Sequence, residues 1–289
     1  MPELVRIESP ELVIEVSSLG AEMQSIRTRD RRSWLWSGDP AFWGGRSPIL
    51  FPIVGKAPDN RLHIDGHVFG MQQHGIARRS EFRLVSAEAG SCLHVLTASA
   101  ASREAYPFDF TLTLGHAVAG SRLTVTASVT NTDVKPLPFG LGFHPAFAWP
   151  LPGAEGRTHF VQLDNGAEPM LSRLDGGLRR PGLLPSPFRA GRLILDHGQF
   201  EDDAMIFPDG AGSALTYGAE GGPGLRFSFE NLPNLALWTR PGAPFLCIEP
   251  WHGTAPEAGA SAEIGARPYA TVLAPGATAA FAFSVDVAE

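Results

Sequence analysis

The chain has 289 residues, of which 44% are hydrophobic and 18% charged, and its formal net charge is −7. That composition supports a sizeable core and excludes a chain dominated by disorder. The 23 Lys and Arg residues are scattered, so the basic stripe of a nucleic-acid binder is missing, and no apolar run approaches a membrane span.

From the N-terminus, MPELVRIESPELV places acids and a proline where a signal peptide would need an apolar run, so a cytoplasmic location is expected. Cys92 and Cys247 lie far apart in strand-like apolar segments and read as two buried free thiols of a reducing compartment. FPIVGKAPDNR (51–61) carries Lys56 and Arg61, which either reach a polar ligand or are simply solvated. His63, His67 and His74 follow at spacings of four and seven, which match no familiar ligand pattern, so no metal is expected. In MQQHGIARRSEF (71–82), Gln73 and His74 precede a glycine that permits close backbone approach, and Arg78 and Arg79 lead into a strand-like EFRLV. A ligand-facing loop and an ordinary surface turn both fit that pattern.

The strongest local signal is strict alternation. FDFTLTL (108–114), RLTVTASVTN (122–131), GLRFSFE (224–230) and AAFAFSVDVA (279–288) each put apolar residues on one side of an extended chain. Turn sequences separate the runs: AEAGS (87–91), AVAGS (117–121), GAEGGPG (218–224) and APGA (274–277). Helical periodicity is absent, with short turns at most near 39–45 and 201–205, and the Pro-rich stretch 181–189 is the expected long loop. Short strands punctuated by Gly and Pro imply an all-β architecture, a large antiparallel β-sandwich, in one domain over 1–289.

Three oddities stand out against this background. GLGFHPAFAWP (140–150) embeds His144 among Phe143, Phe147 and Trp149 and before Pro145. A hydrogen-bonded core histidine would explain it, and so would an imidazole whose pKa is lowered by apolar walls into the range of proton transfer. FLCIEPWHGT (245–254) sets Glu249 after four apolar residues, where burial raises a carboxyl pKa towards that of a general base. The alternative is an edge-strand glutamate in water. Trp251, two residues on, offers a flat apolar face to the C–H face of a sugar ring. In QFEDDAMIF (199–207), Asp202 and Asp203 read locally as cap or loop acids.

SPILFPIVGK (47–56), QHGIARRSEF (73–82), YPFDFTLTL (106–114), FGLGFHPAFAWP (139–150), EDDAMIF (201–207) and LWTRPGAPFLCIEPWHG (237–253) occur in the order of one family. Together they resemble the aldose 1-epimerase (galactose mutarotase-like) family, in its bacterial branch. The resemblance implies a β-supersandwich with an open cleft, His144 as general acid and Glu249 as general base. It also implies His74, Arg78 and Asp203 as ligands of sugar hydroxyls or another polar substituent. Gln73, Lys56 and Trp251 complete the expected sugar-binding set. Ile76 and Arg79 depart from the family pattern, which commonly has Phe and an acid there, and both bear on substrate choice.

The implied reaction interconverts the α and β anomers of a hexose by ring opening. It needs no cofactor, only an acid and a base expected to face each other across a gap about one pyranose wide. The expected partner is a small sugar, acted on by a monomer or homodimer. Alternatives are a hexose-6-phosphate mutarotase holding phosphate with Lys56, Arg78 and Arg79, a glycoside hydrolase using Asp203 and Glu249, and a non-catalytic sugar-binding protein.

Overall fold

The computed structural model describes residues 2–288 and is built almost entirely of antiparallel strands. The four alternating runs lie side by side at the centre of a nine-stranded sheet. In spatial order Gly224–Glu230 pairs with Thr278–Ala288, then Arg122–Asn131, then Phe110–Ala119. Alternation sets their register against the core: Leu123, Val125, Ala127 and Val129 are buried, while Val125 pairs with Phe283 on one side and His116 on the other. Phe110–Ala119 and Arg122–Asn131 join through Gly120–Ser121, a two-residue turn in which Gly120 takes the positive φ (57°) that such a turn requires. Arg192–Ile194, His159–Leu163 and Ala214–Ala219 extend one edge of the sheet; Ser91–Thr97 and Arg83–Glu88 extend the other.

A six-stranded sheet packs across the inner face. It runs Met205–Phe207, Asn234–Trp238, Phe245–His252, Leu141–Phe143 and Ile49–Leu50, with Ala146–Ala148 also paired to Phe245–His252. Phe245–His252 shows no alternation in sequence because both its faces are covered. Leu246 and Ile248 enter the main core shared with the large sheet; Phe245 and Cys247 join a separate cluster with Trp36 and Ala146, and Trp251 joins another with Leu50, Ile206 and Ala236. This is the two-sheet sandwich that the patterning implied.

A three-stranded sheet (Leu4–Glu8, Leu12–Ser17, Met23–Thr28) lies against the edge formed by Arg83–Glu88, Ser91–Thr97 and Phe110–Ala119. The segments near 39–45 and 201–205 are turns, as expected, and 181–189 holds only isolated bridges. One short α-helix escaped the sequence reading: Ala100–Arg103, four residues fixed by a reciprocal cap between Ser99 and Ser102. Among the described residues, no helix is long and apolar enough to cross a membrane.

Candidate active site

His144 and Glu249 meet because of strand register. Leu141 pairs with His252 and Gly142 with Trp251; further on, Ala146 pairs with Cys247 and Phe147 with Leu246. Between these pairs His144 falls opposite Glu249, and the Ile248 N–H donates to the Pro145 carbonyl at 3.1 Å. With Leu246 and Ile248 committed to the core, alternation turns Cys247, Glu249 and Trp251 to the other face of the sheet. His144 Nε2 lies 3.2 Å from Glu249 Oε2, and both side chains are buried. The expected pyranose-wide gap is therefore absent. Two residues opposed on paired strands have their Cβ atoms only about 5 Å apart, so the groups touch along one edge of the cavity instead of flanking it.

Burial dominates their electrostatics. It raises the Glu249 carboxyl well above its ordinary range, with the charge of Asp203 acting in the same direction and that of Arg78 opposing it. Burial likewise lowers the His144 imidazole well below its ordinary range, helped by His74 and Arg78. The two proton affinities, ordinarily about two units apart with histidine the stronger base, are thus driven towards each other.

His74 stands edge-on to His144, with ring centroids 5.5 Å apart. Its loop is pinned twice to Gly55: the His74 N–H donates to the Gly55 carbonyl (2.9 Å), and the Gly55 N–H donates to His74 Nδ1 (3.2 Å). Acceptance at Nδ1 leaves the proton on Nε2. The Gln73 side-chain amide, 3.2 Å from Nε2, satisfies it only by presenting its oxygen. Burial, aided by Arg78, Arg79 and Arg267, pushes His74 down to about 3, so it is a neutral donor. Gly75 makes the loop feasible: at φ 77° a Cβ would sit 2.1 Å from the Phe51 carbonyl oxygen, which accepts from Ile76 (2.8 Å) and Ala77 (3.2 Å).

The cavity these groups line has a volume of about 310 Å³, at the small end of ligand pockets. Gln73, His74, Arg78, Asp203 and Trp251 all reach it along with the His144–Glu249 pair. The half-buried Arg78 has no carboxylate within 4 Å among the described residues, although burial lowers its pKa and would be eased by a partner. Of the two adjacent acids, Asp202 is taken by both Arg180 nitrogens (2.8 and 2.6 Å), while Asp203, at φ 61°, caps Ala204 and faces the cavity. Lys56 does not line it. Its Nζ donates to the Gly176 carbonyl at 3.0 Å and its stem packs under Gly177, so the expected role of Lys56 in binding is corrected.

Trp43, Trp238 and Arg240 also line the cavity, and sequence reasoning missed them. Trp43 stacks on His144 at 4.9 Å and meets Trp238 edge-on at 5.5 Å. The overlooked signal was the Trp43-Gly44-Gly45 run, since a Cβ at Gly45 would lie 2.5 Å from the indole. Among the described residues, three buried polar atoms in this region make no hydrogen bond of good geometry: His144 Nδ1, Trp251 Nε1 and Glu249 Oε2, the last touched only by His144 Nε2.

His144, Cys247 and Glu249 each offer a ligand atom within 4.8 Å of the others. A metal there would have to displace protons from both the Cys247 thiol and the Glu249 carboxyl, each of which burial pushes well up, so Cys247 suits a packing role. His63 and His67 are exposed on the Arg61–Ile64/His67–Gly70 hairpin, whereas His74 is buried in the cavity wall.

Comparison with known proteins agrees with this architecture. The chain is 29% identical over 266 residues to Protein LacX (chromosomal) of Lactococcus lactis subsp. lactis, covering 86% of this chain and 87% of that one. A crystal structure of a galactose mutarotase-like protein from Lactobacillus casei superposes with a TM-score of 0.92 at 26% identity, covering 99% of this chain and all of that one. A galactose mutarotase related enzyme from Lactobacillus acidophilus shares the fold, with a TM-score of 0.93 at 24% identity over 99% and 98% of the two chains. The family model described as aldose 1-epimerase matches residues 3–276, so the chain belongs to the aldose 1-epimerase family and is an isomerase of the mutarotase type, with a sugar as its class of substrate.

Proposed function

We propose that the protein interconverts the α and β anomers of a free hexose, with Glu249 as general base and His144 as general acid. The observation that carries this reading is the 3.2 Å contact between them on the wall of a monosaccharide-sized cavity. Ring opening removes a proton from O1 and delivers one to O5, and both oxygens are bonded to C1. An acid and base in contact along one edge can address both at once, so no gap between them is needed. Closure on the other face reverses the two roles, which favours a pair whose proton affinities are close. Their opposite displacements, Glu249 upward and His144 downward, remove the ordinary preference of the proton for histidine.

The remaining contacts suit a polyhydroxylated ring. His74 Nε2–H, exchanging the Gln73 oxygen for a sugar hydroxyl, and the Arg78 guanidinium donate, Asp203 accepts, and Trp43 and Trp251 offer flat faces. Hydroxyl groups would also supply the partners that His144 Nδ1, Glu249 Oε2 and Trp251 Nε1 lack. We further infer a single domain, as the family match spans 3–276 and both large sheets share one core. Two buried free thiols favour the cytoplasm.

Arg79 and Arg240 carry a second reading. Both line the cavity, and among the described residues neither has a carboxylate within 4 Å. A hexose 6-phosphate would pair with them and is the variant substrate. Polarimetry on fresh α-D-glucose, α-D-galactose and α-D-glucose 6-phosphate separates the cases. Faster equilibration of the free sugars, lost in Glu249→Gln, is the expected result; acceleration confined to the phosphate selects the second reading. If no sugar equilibrates faster while calorimetry still detects binding, the protein is a sugar binder and both readings fail.

A further inference from the structure

The edge of the nine-stranded sheet holds a cluster that the isomerase chemistry does not use. Cys92 in Ser91–Thr97 pairs directly with His116 in Phe110–Ala119, and His94 lies two residues beyond Cys92, so all three leave the same face of the sheet. That face is the interior one, beside the strand Leu4–Glu8. The three residues are 3%, 3% and 0% exposed for Cys92, His116 and His94, and their ligand atoms lie within 4.8 Å of one another.

Among the described residues, neither ring nitrogen of His94 has a hydrogen-bond partner, nor does His116 Nδ1. Buried polar atoms are nearly always partnered, so three orphaned nitrogens on two neighbouring rings require an explanation. Protonation does not provide one, because burial and the nearby His94 push His116 down to about 3. A hydrogen bond from the Cys92 thiol would satisfy one nitrogen at most. Neutral imidazoles with free lone pairs beside a thiol are, however, the donor set that soft and borderline metal ions select.

We propose that Cys92, His94 and His116 bind one thiophilic d10 metal ion, Cu(I) or Zn(II), as a structural staple between the two strands. Binding forms one metal–sulfur and two metal–nitrogen bonds. The Cys92 thiol releases its proton to solvent, and nothing is oxidised or reduced. That proton must be displaced by the metal itself, since burial pushes the free thiol up to about 11. One thiolate and two neutral imidazoles neutralise Cu(I) fully, whereas Zn(II) would keep one positive charge and a fourth position to fill. The carboxylate of Glu3, whose charge acts on His94, is placed to offset part of that charge.

The test uses the full chain stripped with a chelator and titrated separately with Cu(I) and Zn(II) against chromophoric competitors. One equivalent of either ion per chain, with one proton released per ion, is the expected result. Cys92→Ser should weaken binding by more than the roughly 10–100-fold that loss of an outer-shell partner costs, and Cys247→Ser should bind as the parent does. Circular dichroism of metal-free Cys92→Ser establishes that it folds, and X-ray absorption of the loaded parent should show one sulfur and two nitrogen neighbours. Uptake of neither ion, unchanged affinity in Cys92→Ser, or loss in Cys247→Ser alone would overturn the proposal. The comparison of the two ions identifies which one the site prefers.

Discussion

Trp43 lies over the His144 imidazole, with centroids 4.9 Å apart and planes 27° apart. The indole comes from a loop rather than a strand, held by the Phe42 (3.0 Å) and Trp43 (2.9 Å) N–H groups donating to the Asp39 carbonyl. It is one of the covers that deprive His144 of water, and desolvation is the first cause of that residue's lowered pKa. Trp43→Ala should admit water and let the imidazole pKa rise towards its ordinary value. The alkaline limb of the kcat/KM profile, which reports the group acting as acid, should move to higher pH, with a loss of roughly tenfold at its optimum. An unshifted limb would show that Trp43 does not control the proton affinity of His144.

The pair itself gives the largest expected loss. Glu249→Gln keeps the shape of the side chain but cannot take a proton, and His144→Gln removes the titrating ring. Each should lower kcat by about 10²–10⁴-fold with a smaller effect on KM. The double variant should lose little more than either single one, because the two groups act as a unit. Polarimetric rates with fresh anomer measure all three; fully multiplicative losses would contradict a joint role.

Acid should destabilise the fold well above the range of ordinary carboxylates. His74 and His116 are both pushed down to about 3, first by burial, and in the unfolded chain each titrates near 6.5. For these two alone the unfolded state binds two more protons between those values, and the lowered His144 adds to the difference, so stability falls as pH drops through 6.5. At full titration these two histidines contribute a slope of about 2.7 kcal/mol per pH unit. Glu249 is raised and acts oppositely, its contribution being present below the unfolded carboxyl pKa and shrinking as pH rises. In metal-free protein the thermal midpoint should drop between pH 7 and 5, and His116→Leu should lessen the drop. A flat midpoint over that range would refute the buried neutral histidines.

How much of this was legible in the sequence depended on how many faces of a strand are covered. Arg122–Asn131 and Gly224–Glu230 have one solvated face, so alternation located them to the residue. Phe245–His252 is covered on both faces and reads as an unbroken apolar run, which is why Glu249 was conspicuous there. The contact between His144 and Glu249 could not be read, since pairing register is a long-range property and the two residues are over a hundred positions apart. Lys56 misled for a related reason: its loop does border the cavity through Gly55, but the side chain turns away to the Gly176 carbonyl.

Gly75→Ala tests the loop that presents His74. The substitution forces a Cβ to within 2.1 Å of the Phe51 carbonyl oxygen at φ 77°, where an L side chain is strained. Strain plus at least one weakened bond to that carbonyl should cost about 2–4 kcal/mol in urea unfolding. Because His74 is displaced with its neighbour, KM should rise as well. A variant of parental stability would mean that the chain can relax around this contact.

The last prediction separates cations that face the cavity from one that only borders it. Lys56→Ala removes a bond to Gly176 and nothing that lines the cavity, so KM for any sugar should stay within about twofold, as for a surface substitution. Arg240 is exposed on the rim and lines the cavity, and among the described residues no carboxylate lies within 4 Å of it. For a neutral hexose its loss should change KM little. For a hexose 6-phosphate, a charge-assisted bond of about 1.5–3 kcal/mol would vanish, raising KM by about tenfold or more. The ratio of the two KM changes in Arg240→Ala therefore reports whether the rim is built for an anion. Equal changes for both sugars would assign Arg240 to general solvation of the rim and leave the free hexose as the substrate.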